Sequence, residues 1–272
     1  MKGVLVAATV CLSLAAPKFA AAIDVWDQTS GHLDDNAGTD NELAPGSEQI
    51  HDLQAVGGIA DEDWYLLGQQ PYSSYEVVVD GLTEQVASIP ATQTADPVQL
   101  DLVDSAGSAL NTGYAFSSIG SARNLRIRNN SATEIINQYV RVRTGTDGCT
   151  TACTVNAQYR IHLFETTYLI PRFNNSGTQV TILIVQNGSD ESVGASAHFW
   201  SPTGTLLGSQ SMTLSAHGTA VINTAGVPGV AGQGGSITLD NDGHFGALHG
   251  KAVALEPSTG FTFDTMMSPK FQ

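Results

Sequence analysis

From Asp63 onward, apolar and polar residues alternate in short runs. Tyr75, Val77 and Val79 stand two apart beside Glu76 and Asp80, and Leu100 and Leu102 flank Asp101. Leu125 and Ile127 alternate with Arg126 and Arg128. Val140 and Val142 alternate with Tyr139, Arg141 and Arg143, and Tyr159, Ile161 and Leu163 with Arg160 and His162. A period of two marks half-buried antiparallel strands, and Ser105-Ala106-Gly107-Ser108 reads as a turn between two of them. No segment beyond the first 22 residues carries a competing helical period.

A second series of strands follows a seam near Thr166 to Asn175. It runs through Val180–Val185, Ala195–Trp200, Thr205–Leu214, Thr219–Thr224, Ser236–Leu239, Ala247–Leu255 and Phe261–Met266. Asn187-Gly188, Pro202-Thr203-Gly204 and Asp242-Gly243 supply turns, and Val227 to Gly235 a longer loop. The pattern predicts an all-β chain of two β-sandwich domains in tandem, of jelly-roll or immunoglobulin-like build. The expected division is 61–167 for the first sandwich and 168–272 for the second, with 23–60 an acidic leader packing on the first.

Residues 1–22 predict a cleaved secretory signal peptide. Lys2 precedes an apolar run from Gly3 to Ala16, too short to span a membrane, and Ala20-Ala21-Ala22 offers a small-residue cleavage site. No later stretch reaches the ~20 apolar residues of a membrane span. A secreted or cell-surface location is expected, with the periplasm as the alternative.

Charge narrows the partners. The chain carries 11 Lys+Arg against 26 Asp+Glu. Removing Lys2 and Lys18 with the signal leaves 9 bases and a net charge of −17. Nucleic acid and anionic membrane are excluded as expected partners, since both recruit positive charge. From Ile23 to Ala122 there are 17 acids and no Lys or Arg, so this stretch must meet solvent, later arginines or a cation. The arginine pairs on the 123–128 and 139–143 strands predict interleaved carboxylates such as Glu76, Asp80 and Asp101, because facing like charges repel. Cys149 and Cys153, close together in an exported chain, predict a disulfide worth about 2 kcal/mol.

Candidate chemistry is sparse. Asp34-Asp35-Asn36-Ala37-Gly38-Thr39-Asp40-Asn41-Glu42 is dense in the oxygen donors that calcium takes, although EF-hand spacing fails. Asp61-Glu62-Asp63 stands directly before Trp64-Tyr65, an arrangement suited to anchor a sandwich core with Trp64 and hold a cation at the strand entry. Gly194-Ala195-Ser196-Ala197-His198 lacks the last glycine of a nucleophile elbow, there is no His-Glu-x-x-His, and no phosphate-cradling loop opens a helix. His244 and His249 are five apart, which on an extended strand sets them on opposite faces. Trp26, Trp64 and Trp200 are the aromatic candidates for a sugar platform, with Trp64 more at home in the core.

At Asp61-Glu62-Asp63-Trp64-Tyr65, the chain resembles the bacterial pre-peptidase C-terminal domain family, related in fold to clostridial collagen-binding domains. The likeness continues through Glu76 to Gly81, Leu100 to Gly107, Tyr139-Val140-Arg141-Val142 and Tyr159-Arg160-Ile161. It covers about 34–165. It implies a jelly-roll-like sandwich without catalytic residues and, in some members, a calcium site between leader and body. Carried over, Asp40, Asn41 and Glu42 stand for the leader ligands and Asp61 and Asp63 for the body ligands. With no peptidase segment before it, an accessory role to a peptidase in cis is not expected. The second half is similar to β-sandwich modules of exported bacterial proteins through Ile170-Pro171-Arg172-Phe173, Thr181 to Asn187 and the Pro202 turn.

The expected function is a secreted, non-enzymatic protein with a binding, adhesion or structural role, calcium-stabilised, whose partner is an extracellular glycan or a matrix or surface protein. A secreted hydrolase with a carboxylate site and a self-assembling surface subunit are the rivals from other classes.

Overall fold

A computed structural model describes residues 34–53, 61–81, 98–115, 123–144 and 158–270. The signal segment, Trp26 and the Cys149–Cys153 pair lie outside the described residues. The N-terminal half holds β1 (Glu48–Asp52), β2 (Glu62–Gln69), β3 (Ser73–Asp80), β4 (Val98–Asp104), β5 (Ala109–Thr112), β6 (Tyr114–Ala115), β7 (Arg123–Asn129), β8 (Ile135–Thr144) and β9 (Gln158–Glu165). The C-terminal half holds β10 (Tyr168–Asn174), β11 (Val180–Asn187), β12 (Val193–Trp200), β13 (Leu206–Leu214), β14 (Thr219–Asn223), β15 (Gly234–Asn241), β16 (Leu248–Glu256), β17 (Phe261–Met266) and β18 (Ser268–Pro269). Every strand ladder is antiparallel. The all-β expectation holds, and the strand series read from the sequence matches the observed one closely.

Each half is two sheets closing on one apolar core. In the first, sheet β1-β9-β3-β7-β6 faces sheet β2-β8-β4-β5. The inward positions named by alternation, Tyr75, Val77, Val79, Leu100, Leu102, Leu125, Ile127, Val140, Val142, Tyr159, Ile161 and Leu163, all enter that core. In the second half, sheets β13-β12-β15-β10-β18 and β14-β11-β16-β17 enclose Ile170, Phe173, Leu183, Val185, Phe199, Ile237 and Leu239. Truncating such a side chain to alanine costs about 2–5 kcal/mol.

Trp64 departs from its expected place. The residue is buried, but it packs with Val103 and Tyr139 in a separate cluster, under Ala37 of the leader. Tyr65, its neighbour on the opposite face of β2, is the one that fills the inter-sheet core. Arg141 lies over the indole at 5.7 Å. Gly107 closes the cluster from the β4–β5 turn with φ +79°, and a Cβ there would come 3.3 Å from the Trp64 ring.

The two arginine pairs do not share a face, because β7 and β8 belong to different sheets. Carboxylates do interleave. Glu76 stands opposite Arg126 and Asp101 opposite Arg141 in the ladders, and Asp101 Oδ2 receives Arg141 at 3.2 Å and Arg143 at 3.3 Å. Among the described residues no helix is long and apolar enough to cross a membrane.

Candidate metal centre

The leader is laid along the open edge of β2. Trp64 N–H donates to the Asp34 carbonyl at 2.7 Å, Leu66 N–H to the Asn41 carbonyl at 2.8 Å, and Leu43 N–H to the Leu66 carbonyl at 3.1 Å. A parallel bridge pairs Glu42 with Leu66. The chain then crosses to the other sheet, where β1 pairs with β9 and sets His51 beside Tyr159. The leader thus covers a strand edge that would otherwise expose unpaired backbone groups.

This path gathers Asp34, His51 and Asp63, each with a ligand atom within 4.8 Å of the others, and all three are buried. His51 Nδ1 lies 3.8 Å from Asp34 Oδ2 and 3.6 Å from Asp63 Oδ1. The Tyr159 hydroxyl donates to Asp63 Oδ2 and receives the Tyr65 hydroxyl at 2.6 Å. Burial, reinforced by the Asp63 charge, holds the Tyr159 phenol well above its ordinary range, so it remains a donor. The rings of Tyr65 and Tyr159 pack on the imidazole at 5.1 and 6.0 Å.

The protonation pattern of His51 follows from its neighbours. Gln49 Nε2 donates to the Glu42 carbonyl at 2.9 Å, which turns Gln49 Oε1 toward His51 Nε2 at 3.0 Å. His51 Nε2 must therefore carry a proton. Nδ1 then faces two carboxylates. A bare lone pair among two anions is repulsive, so the geometry asks for positive charge between them, either a second proton on the ring or a metal ion. The donor set fits a cation: two buried carboxylates of the kind calcium takes, plus an imidazole nitrogen of the kind zinc or manganese accepts. Asp63 Oδ1 is buried and accepts no hydrogen bond.

Of the residues expected as ligands, Asp63 stands in the cluster. Asn41 borders it, donating from Nδ2 to Asp34 Oδ2 at 3.4 Å. Asp61 is buried just before β2, outside the three-residue group. Asp40 and Glu42 face solvent, since the leader alternates as a strand does and Thr39, Asn41 and Leu43 take the inward positions. His51 is the member that sequence reasoning missed; Asp34 heads the oxygen-rich stretch singled out for calcium but is not among the ligands the resemblance implies. The Thr39-Asn41-Leu43 alternation was the available signal for the leader's facing; nothing local marked His51.

A second group of buried charges joins the halves. Glu76 Oε1 meets His244 Nδ1 at 2.6 Å and Asn124 Nδ2 at 3.0 Å, while Oε2 accepts Phe245 N–H at 2.7 Å. Arg126 reaches Glu191 at 2.8 Å and His244 Nε2. Arg128 Nη2 donates to Asp240 Oδ1 at 2.8 Å and Ser196 Oγ at 2.9 Å. Ser74 Oγ accepts Asn241 N–H at 3.1 Å, and Asn241 Nδ2 donates to the Thr166 carbonyl at 2.8 Å. With only Thr166 and Thr167 between β9 and β10, the two halves meet through a polar seam in which Asp240 Oδ2 and the Nε atoms of Arg126 and Arg128 find no hydrogen bond among the described residues.

At that seam, Ser209 Oγ lies 2.8 Å from His198 Nδ1, and His198 Nε2 lies 3.4 Å from Asp240 Oδ1. The residue types are those of a hydrolytic triad. However, Ser209 sits inside the edge strand β13, paired with β12, and not on the sharp strand-to-helix turn of a nucleophile elbow. Tyr72 covers the imidazole at 4.5 Å. Burial pushes Asp240 up, but hydrogen bonding to His198 and Arg128 outweighs it and holds the carboxyl below its ordinary value.

The sequence matches no family model and no curated protein. Among solved structures, a provisionally named secreted protein from Eubacterium rectale superposes over 81% of this chain and 72% of its own, at 10% identity and a TM-score of 0.25. A β-glucuronidase from Bacteroides uniformis superposes over 76% of this chain but 25% of its own, at 10% identity and a TM-score of 0.21. Likenesses this distant carry no argument about activity.

Proposed function

We propose that the chain is an exported, non-catalytic β-sandwich protein that binds a glycan, matrix or surface ligand outside the cell, its acidic leader clamped to the first sandwich by a divalent cation. The observation that carries the clamp is the Asp34–His51–Asp63 cluster, where leader, β1 and β2 meet around two buried carboxylates. Calcium is the ion favoured by the resemblance to the pre-peptidase C-terminal family and by the ion abundance of an extracellular setting. Asp34 and Asp63 would hold it, and its role would be structural. The His51 imidazole favours a second reading, an ion of the zinc or manganese class held through Nδ1. The export reading rests on residues 1–22. The non-catalytic reading follows from the resemblance over 34–165, which implies a sandwich without catalytic residues.

The test is the melting temperature in chelator and in calcium, manganese or zinc. Extracellular calcium modules bind at about 10⁻⁴–10⁻³ M. Calcium at roughly 100-fold above Kd would add ~2.7 kcal/mol, about 5–10 °C for a chain of this size. A shift with calcium that disappears in Asp63→Asn supports the clamp. A shift with zinc alone replaces calcium by the second reading, and no shift with any of the three ions rejects the clamp.

A further inference from the structure

Beside the seam, the outer face of β10, β12 and β15 is left uncovered by the first half. There the β2–β3 turn and this face border an open cleft of about 880 Å³, whose lining includes Gln70, Pro71, Trp200, Thr238, Arg172 and Lys270. That volume falls in the class of small-molecule sites.

Three independent features give the cleft a chemistry. The first is a fixed aromatic floor. Trp200 Nε1 donates to Thr238 Oγ1 at 2.8 Å, and Tyr72 packs edge-on against the indole at 5.7 Å. Tyr72 holds φ at +51°, a costly conformation for a residue with a side chain, and this turn is what brings its ring onto Trp200 and His198. Gly235 fixes the floor's edge, since a Cβ there would come 1.8 Å from the Trp200 carbonyl oxygen.

The second feature is charge. The chain has 26 Asp+Glu against 11 Lys+Arg, yet the described residues lining the cleft include two cations and no acid. The third is Arg172. Arg126, Arg128, Arg141, Arg143 and Arg160 all pair with carboxylates. Arg172 is exposed and makes no ion pair among the described residues; its guanidinium lies 5.8 Å over the Phe263 ring, at the border with a neighbouring depression that Glu256 also lines. In so acidic a molecule, an arginine left without a carboxylate beside a cleft lacking acids is positioned for an incoming anion. Lys270 is already paired with Glu165 at 3.3 Å, so Arg172 is the lining cation left to meet an anion.

We propose that this cleft binds an acidic saccharide, with a sugar ring stacked on Trp200 and its carboxylate held by Arg172. Ser236, and the capacity left on Thr238 Oγ1 and Gln70 Oε1 once Thr238 has accepted Trp200 and Gln70 Nε2 has donated to Glu134, suit sugar hydroxyls better than the repeating backbone of an acidic peptide. The inference rests on the binding role proposed above and names its ligand class. It is independent of the metal clamp, because none of Asp34, His51 or Asp63 lines the cleft.

The experiment is calorimetric titration of the full chain with tetrasaccharides of galacturonate, guluronate and mannuronate, against the neutral galactose tetramer and hexaglutamate. The expected result is saturable binding of at least one uronate, tenfold or more tighter than the neutral tetramer and hexaglutamate, and weakening as salt is raised. Arg172→Ala, a surface change, should reduce that affinity about tenfold without altering the melting temperature, and Trp200→Ala should abolish it. No binding of any uronate at millimolar concentration overturns the proposal, as does equal binding of hexaglutamate or indifference to Arg172→Ala. Uronate binding that ignores both variants keeps the binding role and rejects the cleft.

Discussion

Glu76 and Asp240 at the seam, and Asp34 and Asp63 at the leader, are all removed from water in one small protein. At the seam, each carboxylate meets fixed donors: Asp240 a guanidinium and an imidazole, Glu76 an imidazole, an amide and a backbone N–H. At the leader, two carboxylates converge on one imidazole whose Nε2 proton is already turned toward Gln49. Of the two seam carboxylates, Asp240 is matched by Arg128, while Glu76 is held by neutral and imidazole donors. The leader cluster is built from a stretch that contains no Lys or Arg from residue 23 to 122. Burial alone therefore does not mark a metal site; what distinguishes the leader is the convergence of two buried carboxylates on one imidazole.

The sharpest way to break the comparison is to remove one partner at each place. Asp240→Ala leaves Arg128 and His198 facing a buried gap and should cost about 3–5 kcal/mol, read as a lower urea midpoint. Tyr159→Phe deletes the donor to Asp63 and should cost about 1.5–3 kcal/mol in chelator, a charge-assisted bond lost in a buried site. Glu191→Gln breaks an ion pair whose carboxylate is 55% exposed, so its effect should stay below about 1 kcal/mol. If Glu191→Gln proved as damaging as Asp240→Ala, burial would not be what gives the seam its strength.

The pH response sharpens the same contrast. Asp240 is lowered in the folded protein despite burial, through His198 and Arg128, and Glu191 is lowered by its hydrogen bond to Arg126. A carboxyl with a depressed folded value stabilises fully above its unfolded value, near 3.9 for aspartate, and loses that contribution as pH falls through the folded value. Stability should therefore decline below about pH 4, and Asp240→Asn should flatten that decline. Urea midpoints measured from pH 6 to pH 2.5 check this; an unchanged acid limb in the variant would remove Asp240 from the account.

Much of this architecture was legible because alternation fixes faces. Tyr75-Val77-Val79 and Tyr159-Ile161-Leu163 reach the core as written, since a period of two leaves no choice once one face is apolar. Trp64 and Tyr65 were harder. Both are aromatic and adjacent, and the sequence favours Trp64 for the core; the leader's cover over Trp64 lets Tyr65 enter between the sheets instead. Asp63 was visible because it stands at the entry of a strong strand. His51 was not, because its meeting with Asp63 depends on β1 joining the opposite sheet, a pairing that no local spacing encodes. Asp40 and Glu42 drew attention as acids, while the inward Thr39, Asn41 and Leu43 were the informative residues. The seam was equally hidden: the partners of Arg126 and Arg128 lie more than 60 residues away.

The central claim is that a cation ties the leader to β2. Amide hydrogen exchange at Trp64 and Leu66, whose N–H groups bond to the Asp34 and Asn41 carbonyls, reads that tie directly. Calcium should slow exchange at both amides by tenfold or more relative to chelator, and Asp63→Asn should erase the difference, while seam amides such as Asn241 stay unchanged. Equal exchange at Trp64 and Leu66 with and without the ion would contradict the account.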